Sequence, residues 1–222
     1  MTSEISNRQV LSFLIKECSR QECSFRYTIP EGIKDRKTCP KCGAPMINVS
    51  QYPGYSDTGL RKNNFSGPDV QPLLDNIRST YNVGAMFRTA DGCGVSHLHL
   101  CGITPTPKNP KVVKTSLGAE ENVPWTYYRN GVQAAMLMKE QGLQLWALEI
   151  TPSAKSIFDA INEIPDTQIG LVVGNEISGI DPDILKLCEK SIMIPMQGYK
   201  KSLNVAIAFG IAVYYLRQGK VN

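Results

Sequence analysis

Three loops of the chain carry polar side chains that could bind or act on a substrate, and each loop follows an apolar run. The first contains Asn82, with Arg88 six residues further along in a segment of helical pattern. The second contains Glu176 between two glycines, and the third holds Ser202 and Asn204 just before a long apolar segment. Such groups can orient a substrate and stabilise charge that develops during a reaction.

Each of these residues also has a simpler explanation when it is taken singly. Arg88 is compatible with an ordinary surface arginine, Asn82 with the cap of the helix that follows, and Glu176 with a loop carboxylate. Ser202 could cap the last helix. The occurrence of all three loops together, rather than any one residue, favours a functional role.

Four cysteines near the N-terminus have the spacing of a structural zinc site. Cys18 and Cys23 form one pair, and Cys39 and Cys42 form a second pair after 15 intervening residues. Gly43 allows the tight turn that points two thiolates at one metal ion. Free thiols or a redox pair are the alternatives, but no thioredoxin-like βαβ pattern surrounds the second pair. We predict one zinc ion in a module that depends on the metal for its fold.

The net charge of the chain is concentrated around these cysteines. Residues 1–68 contain 10 Lys/Arg and 6 Asp/Glu, whereas residues 69–222 contain 14 of each. A basic appendage suits a polyanionic partner such as RNA, while a solvated surface or a protein contact is the alternative. Six cations lie on or beside the cysteine-rich stretch: Arg20, Arg26, Lys34, Arg36, Lys37 and Lys41.

Common nucleotide and protease motifs are missing from the sequence. Gly92-Cys93-Gly94 is followed by Val95 and does not complete GxGxxG, and neither GxxxxGK(S/T) nor HExxH occurs. The usual dehydrogenase, kinase and zinc-protease classes are therefore excluded. His97 and His99 alternate within an apolar run and share one face, which favours a structural role over general-base catalysis.

Alternating strand and helix patterns begin at residue 69. Five apolar runs predict buried strands: Val70–Asp75, His97–Ile103, Leu143–Ile150, Ile169–Val173 and Ser191–Ile194. Helical patterns lie near 83–91, 131–141, 181–188 and from 203 to about 217. We expect a parallel α/β sheet covered on both faces, with ligands bound at the loops that leave the carboxyl ends of the strands. Three further cysteines lie in apolar segments and are predicted to be small buried hydrophobes: Cys93, Cys101 and Cys188.

The first 68 residues are organised differently. Residues 5–17 have apolar residues at helical spacing and predict a helix, so residues 1–50 are expected to form a helix and a zinc-ribbon-like module. Residues 51–68 are rich in turn formers and predict a linker to a domain at 69–222. Hydrophobic content of 42% is ordinary for a globular protein, and no apolar run approaches the roughly 18 residues of a membrane span. The start has no secretory signal, so we expect a cytoplasmic protein.

The three polar loops resemble the motifs of one enzyme family. NVGAMFRTAD at 82–91, VVGNEISGI at 172–180 and IPMQGYKKSLNVAIA at 194–208 resemble, in this order, the three motifs of the SpoU (TrmH-like) branch of the SPOUT RNA methyltransferases. The resemblance runs over residues 70–218 and leaves the predicted zinc ribbon outside. It implies an α/β SPOUT fold with a C-terminal trefoil knot, and a homodimer with the active site at the interface.

The resemblance also implies S-adenosylmethionine as the cofactor, held by three loops at 148–151, 173–176 and 194–204. Gly174 would permit close backbone approach, and apolar side chains would sandwich the adenine. The cofactor contacts implied in this way are Leu148, Gly174, Ile194, Met196 and Leu203.

The implied reaction is methylation of a ribose 2′-OH in structured RNA, either tRNA or rRNA. The family assigns activation of the hydroxyl to the arginine that matches Arg88 and its positioning to Asn82, while Glu176, Ser202 and Asn204 would shape the RNA side of the pocket. Because arginine is a poor general base, Arg88 could instead bind phosphate or stabilise the alkoxide. The nearby Lys200 and Lys201 would contact RNA phosphates and Tyr199 could stack on a base. A non-catalytic RNA-binding protein of the same fold, and an enzyme with a target other than RNA, remain the alternatives.

Overall fold

The chain forms two compact units, Met1–Lys62 and Asn63–Asn222. A computed structural model describes residues 12–54, 65–165 and 167–219.

The first unit contains a three-stranded antiparallel sheet. Its strands are β1 (Ser12–Cys18), β2 (Arg26–Pro30) and β3 (Met46–Pro53), in the order β2-β1-β3. The helix predicted for residues 5–17 is therefore wrong over its described part, 12–17, and its residues 5–11 lie outside the described residues. The apolar cluster that suggested a helix is too short to distinguish the 3.6-residue period of a helix from the two-residue period of a strand. Pairing with β2 on one side and β3 on the other holds the segment extended as the central strand.

The segment predicted to be a linker, 51–68, is partly structured at both ends. Its first residues complete β3, which pairs with β1 as far as Pro53. Residues 55–64 lie outside the described part of the chain. Phe65 to Pro68 belong to the second unit, where the Gly67 amide donates to the carbonyl of Arg217 at 2.8 Å.

The second unit is built on a parallel sheet of seven strands. Their order is β6-β5-β4-β9-β7-β10-β8, and every recorded pairing is parallel. The strands are β4 (Val70–Asp75), β5 (Leu98–Cys101), β6 (Trp125–Tyr128), β7 (Gln144–Leu148), β8 (Lys155–Ser156), β9 (Ile169–Val173) and β10 (Lys190–Met193). The five predicted strands are confirmed, and β6 and β8 are additional.

Helices cover both faces of this sheet. They are α1 (Thr80–Gly92), α2 (Pro110–Ser116), α3 (Ala119–Asn122), α4 (Gly131–Glu140), α5 (Ile157–Ala160), α6 (Pro182–Leu187) and α7 (Val205–Gln218). The four predicted helices are α1, α4, α6 and α7. In β9, Leu171 packs into the core beneath α1 and α7, whereas Val172 packs into the core beneath α4 and α6. This alternation explains why every residue of β9 is apolar or glycine.

The position of β10 separates β7 from β8. Residues 149–154 connect β7 to β8 past the end of β10, and the chain that leaves β10 continues to α7, which packs against α1, β4 and β9. This crossing is the arrangement in which the trefoil knot implied by the SPOUT resemblance would form. No helix in the described ranges is long and apolar enough to cross a membrane.

Candidate active site and metal centre

A cavity of about 410 Å³ lies among the loops that follow β7, β9 and β10 and the first turn of α7. These are carboxyl ends of adjacent parallel strands, where α/β sheets bind ligands. All five residues predicted to contact the cofactor line the cavity: Leu148, Gly174, Ile194, Met196 and Leu203. The three loops expected from the sequence therefore surround one pocket.

Gly174 allows the chain to fold back on itself at the pocket wall. A Cβ at this position would lie 2.3 Å from the Ile180 amide nitrogen and 2.6 Å from the Gly179 carbonyl oxygen. Asn175 and Gly179 close the turn with two backbone hydrogen bonds of 3.0 Å. The sequence-based reason for the glycine, close approach of a cofactor, is therefore incomplete, because the chain itself occupies the space of the side chain.

Glu176 connects the second loop to the first. Its carboxylate accepts hydrogen bonds from the Arg78 amide at 3.0 Å, the Ser79 amide at 3.2 Å and the Asn82 side-chain amide at 2.9 Å. Burial alone would raise the pKa of the Glu176 carboxyl, but these hydrogen bonds outweigh it and the pKa lies below its ordinary value. Glu176 is thus held as a charged acceptor.

Asn82 connects the same network to the third loop. Its side-chain oxygen accepts a hydrogen bond from the Asn204 side chain at 3.2 Å. Asn204 also caps α7, since its Oδ1 accepts from the Ala206 amide at 2.9 Å. Three candidate residues from three separate motifs, Asn82, Glu176 and Asn204, are therefore brought together.

The structure excludes the capping role that the sequence left open for Asn82 and for Ser202. The cap of α1 is Ser79, whose hydroxyl accepts from the Asn82 amide, and Asn82 itself lies in the first turn. The cap of α7 is Asn204 and not Ser202, which is exposed and lines the pocket. In both helices a polar residue two or three positions away competes for the same role. Asn82 and Ser202 are consequently free of a capping function.

Arg88 is the candidate that the fold does not bring to the pocket of its own chain. It is exposed on α1 and makes no hydrogen bond or ion pair with any described residue. Six residues of helix separate it from Asn82 by about 9 Å along the axis. By contrast, Lys201 lines the pocket and Tyr199 is 99% exposed in the same loop.

Sequence reasoning missed several polar residues that support the loops. Asn175 donates to the Asn76 carbonyl at 2.7 Å, and the buried Asp75 accepts from the Asp181 amide at 2.9 Å. Burial raises the pKa of Asp75. Glu149 accepts from the Ile180 amide at 3.2 Å. The available signal was a polar residue within two positions of the end of an apolar strand.

The histidines have structural positions, as predicted. His97 bonds Thr126 at 2.9 Å and His99 bonds Gln71 at 3.2 Å, while their rings lie 4.8 Å apart. Burial lowers the pKa of His99 to about 4, which leaves this ring neutral at physiological pH. Neither histidine lines the cavity of the three motifs.

The four N-terminal cysteines converge on one point. Cys18 Sγ lies 3.4 Å from Cys42 Sγ, Cys23 Sγ lies 3.8 Å from Cys39 Sγ, and all four sulfurs lie within 4.8 Å of one another. A tetrahedron with zinc–sulfur bonds of 2.3 Å has sulfurs about 3.8 Å apart. The second pair lies in a tight turn in which the Gly43 amide donates to the Cys39 carbonyl, with φ of +73° at Gly43. The donor set and its spacing fit zinc.

The cations around the cysteines separate into two groups. Lys16 and Arg26, on the sheet, form ion pairs with Asp35 and Glu17, both at 2.6 Å. The others are exposed, lie in the turns, and make no ion pair with a described residue: Arg20, Lys34, Arg36, Lys37 and Lys41. The basic surface expected from the sequence is therefore on the turns of this unit. Outside it, Cys93 and Cys101 are fully buried and Cys188 is partly buried.

A seven-stranded parallel α/β sheet with a pocket at the loops after β7, β9 and β10 defines a SPOUT-type methyltransferase fold. A family model described as the SpoU rRNA Methylase family matches residues 70–214, and the chain belongs to this family.

Two relatives illustrate the range of the family. The chain is 31% identical over 146 residues to the 23S rRNA (guanosine(2553)-2′-O)-methyltransferase RlmP of Bacillus subtilis, a match that covers 65% of this chain and 56% of that protein. It is 31% identical over 150 residues to the tRNA (guanosine(18)-2′-O)-methyltransferase of Aquifex aeolicus, covering 66% of this chain and 67% of that protein. The chain thus spans between 56% and 67% of the length of these relatives.

Solved structures have the same fold. The A. aeolicus TrmH/SpoU tRNA modifying enzyme has a TM-score of 0.59 at 30% identity, over 67% of this chain and 74% of that one. An AdoMet-bound rRNA methyltransferase from Sinorhizobium meliloti has a TM-score of 0.62 at 24% identity, over 79% of this chain and 65% of that one. At the latter identity the similarity concerns the fold alone.

Proposed function

We propose that this protein transfers a methyl group from S-adenosylmethionine to a ribose 2′-OH of tRNA or rRNA in the cytoplasm. The observation that carries the proposal is the convergence of three motifs on one pocket. Residues of the second and third motifs line it, and hydrogen bonds from Asn82 to Glu176 and from Asn204 to Asn82 join the first motif to both.

The pocket suits S-adenosylmethionine in size and lining. Its volume of about 410 Å³ lies in the range of small-molecule sites. Leu148, Ile194 and Leu203 offer apolar surface for the adenine, while the turn at Gly174 exposes backbone groups for polar contacts. The cofactor supplies an activated methyl group, so the residues of the chain need to orient the hydroxyl and manage its proton.

The electrostatics favour an orienting role for Glu176 over proton abstraction. Three hydrogen bonds occupy its carboxylate, and its lowered pKa makes it a weak base. We infer that Glu176 fixes Asn82, that Asn82 and Ser202 orient the ribose, and that water or a phosphate oxygen takes the proton. Arg88 would stabilise the developing alkoxide or bind the adjacent phosphate.

We propose that a second copy of the chain completes the site. Arg88 does not line the pocket of its own chain. On α7, Ile207, Ile211 and Tyr214 lie on one helix face and are 55%, 38% and 44% exposed. An apolar helix face next to the pocket suits a homodimer interface, through which the Arg88 of one protomer would serve the pocket of the other.

We also propose that Cys18, Cys23, Cys39 and Cys42 hold one structural zinc ion. Four sulfurs within 4.8 Å of one another leave no open position for a substrate. The ion would fix the turns that carry the basic residues of this unit.

Methyl transfer from tritiated S-adenosylmethionine tests the proposed reaction. The relatives act on either tRNA or rRNA, so unmodified RNA of both kinds is offered to the purified protein, and the labelled nucleoside is identified by nuclease digestion and mass spectrometry. We expect one 2′-O-methylated nucleoside. Cofactor binding without transfer to either RNA would contradict the proposed substrate class. Absence of cofactor binding would contradict the proposal that the protein is a methyltransferase.

Arg88→Lys tests the assignment of the arginine. The substitution retains the charge but loses the bidentate guanidinium, so we expect a large fall in methyl transfer with cofactor affinity unchanged. Turnover close to that of the wild type would refute the role. Lys139→Arg is a matched control, because Lys139 lies on α4, where it is paired with Glu189.

A further inference from the structure

A second cavity, of about 720 Å³, lies among the loop that follows β5, the start of α2 and the strand β6. We name it the β6 groove, lined among others by Ile103, Thr104, Lys108, Trp125 and Tyr127. None of its lining residues belongs to the three motifs. β6 is one of the two edge strands of the sheet. Residues two apart on a strand share a face, so the rings of Trp125 and Tyr127 lie on the same face.

The aromatic residues of the groove are fixed but only partly covered. The Tyr127 hydroxyl donates to the Gly102 carbonyl at 2.7 Å, although 42% of the residue is exposed. Trp125 packs in part against the main core of the unit and is half-buried. Ile103, across the groove, is 65% exposed. Exposed ring surface in a fixed orientation suits stacking on a flat ligand such as a nucleobase.

The charged side chain in the lining of the groove is a lysine. Lys108 lies in its lining, and Lys111 and Lys114 are exposed on the adjoining α2. None of the three makes an ion pair with a described residue, and no carboxylate is among the described residues that line the groove. Aromatic faces combined with unpaired cations are the two features that bind single-stranded nucleic acid.

Hydrogen bonds join the groove to the pocket of the three motifs. The Ile103 amide donates to Asn76 Oδ1 at 3.1 Å, and the Ile77 amide donates to Thr104 Oγ1 at 3.0 Å. The next two amides of the same turn, those of Arg78 and Ser79, bind Glu176. One turn therefore supports the groove on one side and the pocket on the other.

We propose that the β6 groove binds a single-stranded nucleotide of the RNA adjacent to the ribose that is methylated. Its base would stack on Trp125 or Tyr127 and its phosphate would lie near Lys108. The inference rests on the proposed function in that RNA is the substrate. The groove would hold the part of the RNA strand that lies next to the reacting nucleotide.

Intrinsic fluorescence can report on the groove directly. The chain has two tryptophans, and Trp146 is fully buried in the core, so Trp125 is the one within reach of a ligand. The protein is titrated with single-stranded hexaadenylate, while binding of the labelled oligonucleotide is followed in parallel by anisotropy. We expect saturable quenching with the same midpoint as the anisotropy. Trp125→Phe should bind but show no quenching.

Variants of exposed residues keep the test independent of folding. Tyr127→Leu should weaken hexaadenylate binding roughly ten-fold, the loss of one stacked base. Lys108→Ala should reduce the slope of log affinity against log salt by about 0.7. Lys186→Ala, at an exposed ion pair with Asp183 on α6, should bind as the wild type does.

Several outcomes would overturn the inference. These are binding without quenching, no binding at all, or wild-type affinity and salt dependence in both groove variants. Saturable quenching in a protein that methylates no RNA would contradict the proposed reaction and support the groove. Unchanged KM for RNA in the double variant Tyr127→Leu/Lys108→Ala would contradict the groove and leave the reaction intact.

Discussion

At the scale of single residues, the Glu176 carboxylate connects two of the three loops around the pocket. Two backbone amides and the Asn82 side chain donate to it, and Asn82 in turn accepts from Asn204. A carboxylate that accepts hydrogen bonds from fixed donors gains more from them than a neutral group would, because charge-assisted bonds are stronger. The charge of Glu176, and not only its shape, therefore helps to hold the loops in place.

The pH dependence of stability tests this role of Glu176. Its folded pKa lies below the ordinary value of 4.5, so its contribution is fully present above pH 4.5 and is lost as the pH falls through the folded pKa. Glu176→Gln should lower the free energy of unfolding by about 1 kcal/mol at pH 7, and the difference should shrink below pH 4.5. Urea unfolding at several pH values measures it. Glu140→Gln, at an exposed position on α4, should show no such difference, and a pH-independent loss in Glu176→Gln would contradict the electrostatic role.

Gly174→Ala tests the close approach at the pocket wall. The new methyl group would lie 2.3 Å from the Ile180 nitrogen, so the backbone of the turn must move. We expect a loss of about 1–3 kcal/mol in stability and weaker cofactor binding, measured by chemical unfolding and calorimetry. Gly198→Ala is the control in the third loop, since a Cβ there meets nothing within 4 Å. Equal stability and equal cofactor affinity in the two variants would disprove the steric argument.

At the scale of elements, the strands and helices of the second unit could be predicted because each one buries an apolar face. Strands such as Ile169–Val173 are apolar throughout, and α7 is the longest apolar segment, so their pattern is unambiguous. The short edge strand β6 was missed, since Trp125–Tyr128 lies at the margin of the sheet and is only partly buried. The prediction of a helix at 5–17 was wrong over its described part because the structure of β1 does not depend on its own apolar pattern. Two partner strands hold β1 extended.

The candidate site could be predicted as a set of residues but not as a geometry. Motif order identified Asn82, Glu176 and Asn204, yet nothing in their spacing indicates that they bond to one another. That contact depends on sheet order, which brings residues 94 and 122 positions apart into hydrogen-bond range. The caps at Ser79 and Asn204 were equally ambiguous, because several polar residues near each helix start could accept the same amide.

Metal removal tests whether the fold of the first unit depends on zinc. Its buried cluster among the described residues consists of Cys18, Cys39 and Met46, which is too small to support a fold without the ion. We expect one zinc per chain in the wild type and in Cys188→Ser, and none in Cys42→Ser. Limited proteolysis should then cleave within residues 12–54 of Cys42→Ser only. Metal-free wild-type protein that resists the protease in this range would contradict the prediction.

At the scale of the whole molecule, the proposed chemistry requires Arg88 to act on a pocket that it does not line. In a symmetric dimer, each pocket can receive a side chain from the other subunit, since a two-fold axis makes the exchange mutual. The exposed face of α7 offers a surface for such an association, and its first turn forms one wall of the pocket. Catalysis and assembly would then depend on the same helix.

Mixed dimers distinguish action of Arg88 within its own subunit from action across the interface. Arg88→Ala leaves the pocket intact, whereas Ala208→Phe fills it and retains Arg88, because Ala208 is part of the pocket lining. Each variant alone should be inactive. If Arg88 serves the partner's pocket, random mixing of the two variants should restore about one quarter of the wild-type activity, since half of the dimers carry one complete site. If it serves its own pocket, every site in the mixture is defective and the activity should stay at the level of the separate variants. Methyl transfer after denaturation and refolding of the mixture is the measurement, and sedimentation of the wild type as a monomer would by itself refute the shared site.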